Sequence, residues 1–299
     1  MISSPSLRFR ISTWNCFGMA QGLSAVTAMR APFSERYRHA DVISECASPD
    51  ILCLQELLSR EAQRFFDGVG LGRFTSRFRD DNRVRFGGKV TMRGCGLGIG
   101  ARTPLTKTVL RTFPGSPVGW DRLARKGALY TQISLPGGVT VDVVTAHLQA
   151  GYDARAIGVR AMQLADLKTL IDSVGALDRP FVVCGDFNID GLTSARGDAE
   201  YQCLAAALRG FEDLGAKGDL ATFDPHPEGN GLAHAFEPDI PPQRIDYIFL
   251  RPACGPANLS CTGMARFFDK PLGQTKLQGA KRWASDHYGL SATFELDGS

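Results

Sequence analysis

Residues 180–190 read PFVVCGDFNID, a continuous apolar run that gives way to a glycine and then to carboxylate and amide side chains. An unbroken apolar run predicts a strand buried on both faces, because a strand with one wet face would alternate. The polar residues mark where that strand leaves the core. Just upstream, residues 155–174 (RAIGVRAMQLADLKTLIDSV) carry apolar side chains three and four apart, the spacing of an amphipathic helix. A helix feeding a doubly buried strand is an α/β unit.

The same grammar repeats on either side. LRFRISTWN at 7–15 reads as a strand ending at Asn15, and residues 32–47, opened by a proline, read as one helix leading into the strand ILCL, which ends at Glu56. SREAQRFFDGV at 59–69 has a Ser cap and an early Glu, which predicts a second helix. The Gly- and Arg-rich stretch 70–100 reads as mobile loop around a short strand near GLGIGA. Strands are expected at 105–112, 127–135 and 139–147, the last two joined as a hairpin by PGG. Residues 198–209 read as helix and 211–243 mostly as loop, and RIDYIFL and SDHYGLSATFEL are the final strands. Strands in two batches, joined partly by helices and partly by hairpins, imply a mixed α/β sandwich forming a single domain over residues 1–299.

Bulk properties fit a globular chain. Its 299 residues are 43% hydrophobic and 22% charged, and a chain of this length buries roughly three quarters of its unfolded surface. A net charge of +3 is too small to demand a polyanionic partner. The densest basic run, Arg73 to Lys89 with Arg77, Arg79, Arg83 and Arg85, reads as a solvated loop, with a rim facing phosphates or headgroups as the rival reading. The eight cysteines form no CxxC pair, and Cys53 and Cys184 lie inside apolar runs, as reduced thiols do. The N-terminus lacks a basic region followed by an apolar one, so no signal peptide is expected. No apolar window reaches the roughly 18 residues that span a bilayer. These features point to a cytoplasmic protein, peripheral to a membrane at most.

The chemistry gathers where the strands end: TWN at 13–15, QE at 55–56, TAHLQ at 145–149, GDFN at 185–188, RID at 244–246 and SDH at 285–287. Any one of these is ordinarily a turn or a cap. Glu56 and Asp286 with the Asn15 carbonyl would form an oxygen-rich site suited to Mg²⁺ or Mn²⁺. His287 would deprotonate water if a carboxylate such as Asp246 fixed its tautomer.

The ordered set WN, LQE, HLQA, GDFN, RIDYIF and SDH resembles the motif series of the endonuclease/exonuclease/phosphatase (DNase I-like) superfamily over nearly the whole chain. That resemblance implies a four-layer α/β sandwich of two packed, mixed β-sheets flanked by helices, with an active site at one rim. Within the superfamily the chain is most similar to neutral sphingomyelinases, through LRFRISTWNCFG, GWDRLARKGALY at 119–130, TAHLQAGYD, VRAMQLADL and CGDFNID. By resemblance, Glu56 is the principal metal ligand, Asn15 supports the metal or a phosphate oxygen, and Asp286 completes the metal environment. His287, oriented by Asp246, is then the base; His147 stabilises the phosphate or protonates the leaving oxygen; Asp186 positions the nucleophile and Asn188 the phosphate. Lys126, restrained by Asp121, adds positive charge.

The expected activity is a Mg²⁺- or Mn²⁺-dependent phosphodiesterase acting on a phospholipid at a membrane surface, as a monomer. The apolar loop FPGSPVGW at 113–120 is a candidate for shallow insertion through Phe113, Val118 and Trp120, or else packs on the protein. A metal-dependent nuclease is the alternative, with nucleic acid as partner. A phosphomonoester or inositol-phosphate substrate is a weaker third, and a catalytically dead binding scaffold the remote one.

Overall fold

The apolar runs form strands buried on both faces because two sheets pack against each other and helices cover their outer sides. The computed structural model describes residues 7–19, 33–69, 74–80, 84–86, 89–92, 94–115, 117–254, 259–273 and 279–296. Its strands are β1 (Leu7–Asn15), β2 (Ile51–Gln55), β3 (Ser76–Arg79), β4 (Val84–Phe86), β5 (Lys89–Met92), β6 (Gly98–Ala101), β7 (Leu105–Thr112), β8 (Gly127–Ser134), β9 (Thr140–His147), β10 (Phe181–Asp186), β11 (Glu212–Asp213), β12 (Asp246–Arg251), β13 (Leu259–Phe267) and β14 (Gly289–Leu296). Its α-helices are α1 (Phe33–Arg38), α2 (Ala40–Ala47), α3 (Arg60–Gly68), α4 (Ala154–Val174), α5 (Ala199–Ala207) and α6 (Gly231–Phe236). One six-stranded sheet runs β13-β14-β1-β2-β6-β3 and the other β11-β12-β10-β9-β8-β7, while β4 and β5 pair separately.

Each sheet is mixed, with a parallel pair at its centre, β1 with β2 and β9 with β10. Ile51, Cys53, Val182 and Cys184 face the interior between the sheets. Leu52 and Leu54 face the other way, towards α3 and its Phe65 and Phe66, and Phe181 and Val183 face α4. This alternation explains why ILCL and FVVC carry no polar position. Ser59 caps α3, accepting from Ala62 N, and the fully buried Phe66 contributes roughly 1.5–3 kcal/mol.

Several expectations need correction. Residues 33–47 form two helices, because His39 is extended (φ −67, ψ 134) and caps the second, its Nδ1 accepting from Asp41 N. Pro32 lies outside the described residues. The 70–100 stretch contains β3 and the β4–β5 hairpin besides β6, so it is more than loop. Within the basic run, Arg79 pairs with Asp67 at 2.9 Å and Arg77 donates to the Asp67 and Phe74 carbonyls. Arg73 and Arg83 lie outside the described residues, as does the side chain of Arg85. The 211–243 loop holds β11 and α6, whose start is capped by Asn230. Strand β13 went unrecognised because it is an edge strand with a bulge between Cys261 and Gly263 and exposed positions along it.

Candidate active site

Register and strand direction assemble the site. In the first sheet Asn15 lies opposite Gln55, the last residue of β2, so Asn15 and Glu56 leave the sheet side by side. In the second, Asp186 pairs with His147 on one side and with Asp246 on the other. Close approach of β10 to β9 requires glycine at position 185: φ is 130°, and a Cβ there would sit 2.0 Å from the Ala146 carbonyl oxygen. The SDH segment precedes β14 and closes the rim, with Ser285 Oγ donating to the Asn15 carbonyl at 2.7 Å. The backbone turns through the left-handed region at Phe17 (φ 50°), Glu56 (φ 61°) and Asn188 (φ 52°), a concentration of strain at one rim.

Every candidate catalytic or metal-binding residue from the strand-end motifs, with Asp121 and Lys126, borders one cavity of about 440 Å³, except Asp246, which lies behind His287. Asp186 is the hub. Its Oδ2 accepts from Asn15 Nδ2 at 2.9 Å and lies 3.3 Å from His147 Nε2 and 3.9 Å from His287 Nε2, while Oδ1 accepts from the Asn188 amide at 3.0 Å. Burial opposes its charge, but His147, His287 and Lys126 outweigh burial and hold the carboxyl below the usual carboxylate range. Asn15 also braces the rim, its Oδ1 accepting from Phe17 N with one lone pair and keeping the other. The Asn188 amide group donates to the Leu148 carbonyl.

His287 Nδ1 lies 2.8 Å from Asp246 Oδ2. Burial alone would lower its pKa; the Asp246 and Asp186 charges prevail and push it well above the ordinary histidine value. Lys126 Nζ sits 3.1 Å from Asp121 Oδ1 and 2.6 Å from His147 Nε2. That nitrogen can accept from Lys126 or donate to Asp186, not both at once, so the two contacts are alternatives set by the ring tautomer.

Glu56 and Asp286 lie on the other side of the cavity from this hydrogen-bonded group, in which only Asp246 Oδ1 is buried without a partner. Glu56 Oε2 is buried with no partner, and Oε1 lies 4.0 Å from His147 Nε2, beyond hydrogen-bond reach. Burial, reinforced by Glu56, pushes the Asp286 carboxyl up to about 6. With one Glu56 oxygen unpartnered, and Asp286 still raised although His287 and Arg36 oppose the shift, this side holds negative charge that fits a hard divalent cation. Asp186, Asp246 and His287 also bring ligand-type atoms within 4.8 Å of one another. The His287–Asp246 hydrogen bond already occupies that cluster, so the Glu56–Asp286 side is the better match for an ion.

Sequence reasoning missed the residues that hold these groups in place. Gln55 Nε2 donates to Thr13 Oγ1 at 3.0 Å and to Thr145 Oγ1 at 2.8 Å, tying the two sheets together directly beneath Glu56 and His147. Gln149 Nε2 and the Ala150 amide both bond Asp121 Oδ2. Arg160 and Gln163 on α4 clamp Gln149 in turn, through its carbonyl and its amide. Their signal was present, since Gln55, Gln149, Arg160 and Gln163 all lie inside LQE, HLQA and VRAMQ.

The loop at 113–120 is corrected as well. Phe113 packs under α4 with Ala128 and Leu164, and Val118 packs against Ala156 and Val159, so neither is free to insert into lipid. The Trp120 side chain lies outside the described residues. All eight cysteines are free thiols. Among the described residues no helix is long and apolar enough to cross a membrane.

The profile of the endonuclease/exonuclease/phosphatase family matches residues 12–287. The chain belongs to that family. Two solved structures that share the fold of this family member are sphingomyelinase C from Streptomyces griseocarneus (21% identity over 97% of this chain and 99% of that one, TM-score 0.71) and D. rerio TDP2 with a single-strand DNA product (20% identity, 96% and 98%, TM-score 0.70). A variant of beta toxin from Staphylococcus aureus, solved with bound magnesium ions, superposes with a TM-score of 0.71 at 18% identity over 96% of this chain and 99% of that one. No curated protein matches the chain in sequence.

Proposed function

We propose that this family member is a divalent-metal-dependent phosphodiesterase that hydrolyses its substrate by in-line attack of water, and that the substrate is a phospholipid, as for a sphingomyelinase. The observation that carries the reading is the pairing, in one cavity, of a part-unpartnered Glu56 and a raised Asp286 with a histidine whose far nitrogen is fixed by Asp246. Glu56 and Asp286 would hold Mg²⁺ or Mn²⁺. A bound divalent cation supplies Lewis-acid polarisation of a phosphoryl oxygen.

The protein's own residues do the rest. The raised pKa of His287 confines its neutral form to the alkaline side of the ordinary histidine range; in that form, with Nδ1–H donated to Asp246, it presents its Nε2 lone pair, and the 3.9 Å gap to Asp186 Oδ2 suits one water touching both. Water there loses a proton to His287 as it attacks phosphorus, the P–O bond opposite breaks, and the leaving alcohol oxygen takes up a proton from His147 or from solvent. Lys126 supplies positive charge for the phosphoryl oxygens, with Asp121 holding the ammonium in place and His147 beside it as a hydrogen-bonding partner. The lipid assignment is supported by the GWDRLARKGALY segment, which delivers Asp121 and Lys126 to the cavity, and by apolar lining from Phe17, Met19, Leu58 and Phe223.

The test offers purified protein sphingomyelin in mixed micelles and single-stranded DNA in parallel, with Mg²⁺, Mn²⁺ or EDTA. Phosphocholine release abolished by EDTA is the expected result. Cleavage of DNA alone assigns the same site to a nuclease, and turnover that survives EDTA removes the metal from the proposal.

A further inference from the structure

The lining of the cavity changes chemistry from one contributing segment to the next. Its basic members, Arg125 and Lys126, come from the segment between β7 and β8, whereas Tyr152 comes from the turn after β9, and Phe236 and Glu237 from the end of α6. Tyr152 is 51% exposed, yet its hydroxyl is anchored, 2.9 Å from Glu237 Oε2 and 3.2 Å from Gln243 Oε1. Its single hydrogen goes to the carboxylate, the stronger acceptor. Glu237 has no basic side chain within ion-pair distance among the described residues. Gln243 in turn pairs through its main chain with Phe223, which bridges to His287, so this corner is tied to the proposed base.

We propose that Tyr152, Phe236 and Glu237 form a subsite for an organic ammonium carried on the phosphodiester, which selects a zwitterionic headgroup over a polyanion. The inference rests on the phosphodiesterase reading of the same cavity. An ammonium over an aromatic face is attracted by the ring quadrupole, and the Glu237 carboxylate adds opposite charge at short range. The hydrogen bond between Tyr152 and Glu237 fixes ring and charge together before the ligand arrives, which lowers the ordering cost of binding. A polynucleotide would bring a further phosphate towards Glu237 and be repelled.

Calorimetric titration of the magnesium-loaded protein with phosphocholine and with inorganic phosphate tests the subsite without turnover. The expected result is about tenfold tighter binding of phosphocholine, the scale of one good cation–aromatic contact with charge support. In Glu237→Gln and Tyr152→Ala the phosphocholine-to-phosphate ratio falls towards one. Equal affinities in the wild type, absence of phosphocholine binding, or an unchanged ratio in both variants overturns the subsite. Hydrolysis of bis(p-nitrophenyl) phosphate, a diester with no cation, reports on the phosphodiesterase reading by itself, so the two failures are distinguishable.

Discussion

Asp246 and Glu56 are carboxylates at the same rim, held in opposite ways. Asp246 is fully buried, with one oxygen bonded to His287, the other without a partner, and its main-chain amide bonded to Thr222. Together with Asp186, which gathers Asn15, Asn188 and His147, it forms a group that carries its own counter-charges. The Glu56 carboxylate accepts no hydrogen bond among the described residues, and its charge helps to raise neighbouring Asp286. The difference separates two tasks. One half is balanced and orients a proton acceptor; the other is an excess of negative charge that a cation would complete.

Predictions that break or sharpen this contrast can be ranked by size. His287→Ala is expected to lower kcat by about 10²–10⁴-fold while the circular dichroism spectrum stays native, and a loss under threefold would remove His287 as the base. Asp246→Asn should destabilise the metal-free protein by roughly 3–5 kcal/mol in urea unfolding, because it leaves the buried His287 charge without its counter-ion. Glu56→Gln should cost nothing there, or stabilise by up to about 1 kcal/mol, because it removes a charge that opposes ionisation of Asp286. Equal losses in the two variants would erase the distinction between the halves.

Saturating magnesium should raise the midpoint of thermal unfolding, a ligand at a hundredfold its Kd stabilising by about 2.7 kcal/mol. Glu56→Gln should lose most of that gain and Asp246→Asn should keep it. The reverse pattern would move the ion to the Asp186–Asp246–His287 side. The smallest effect is expected at Gln55→Leu, which strips the donors from Thr13 and Thr145. About 1–3 kcal/mol of stability should go, with kcat falling less than tenfold. A loss of turnover as large as that of His287→Ala would make the clamp between the sheets part of the chemistry.

Much of this was legible along the chain. The doubly buried strands declared themselves in ILCL and FVVC, α3 in its Ser59 cap and Phe pair, and the site in the polar residues that end each run. Where reading failed, a local signal was weak or misleading. His39 split a helix because its side chain caps as well as Ser does, and β13 was hidden because an edge strand needs no apolar alternation. Phe113 and Val118 looked free in a Gly- and Pro-rich loop, yet α4, far along the chain, covers them.

The sequence by itself determined the identity of the chemical groups and the strands that end in them, because alternation, capping and apolar runs are properties of neighbouring residues. Only the tertiary structure decided which of those groups neutralise one another. Asn15 reaches Asp186 across 171 positions, Ser285 reaches the Asn15 carbonyl across 270, and Glu56 is left unpaired beside them. Charge balance in a buried site depends on distances of a few ångströms between strands of different sheets, and nothing in local spacing encodes those distances.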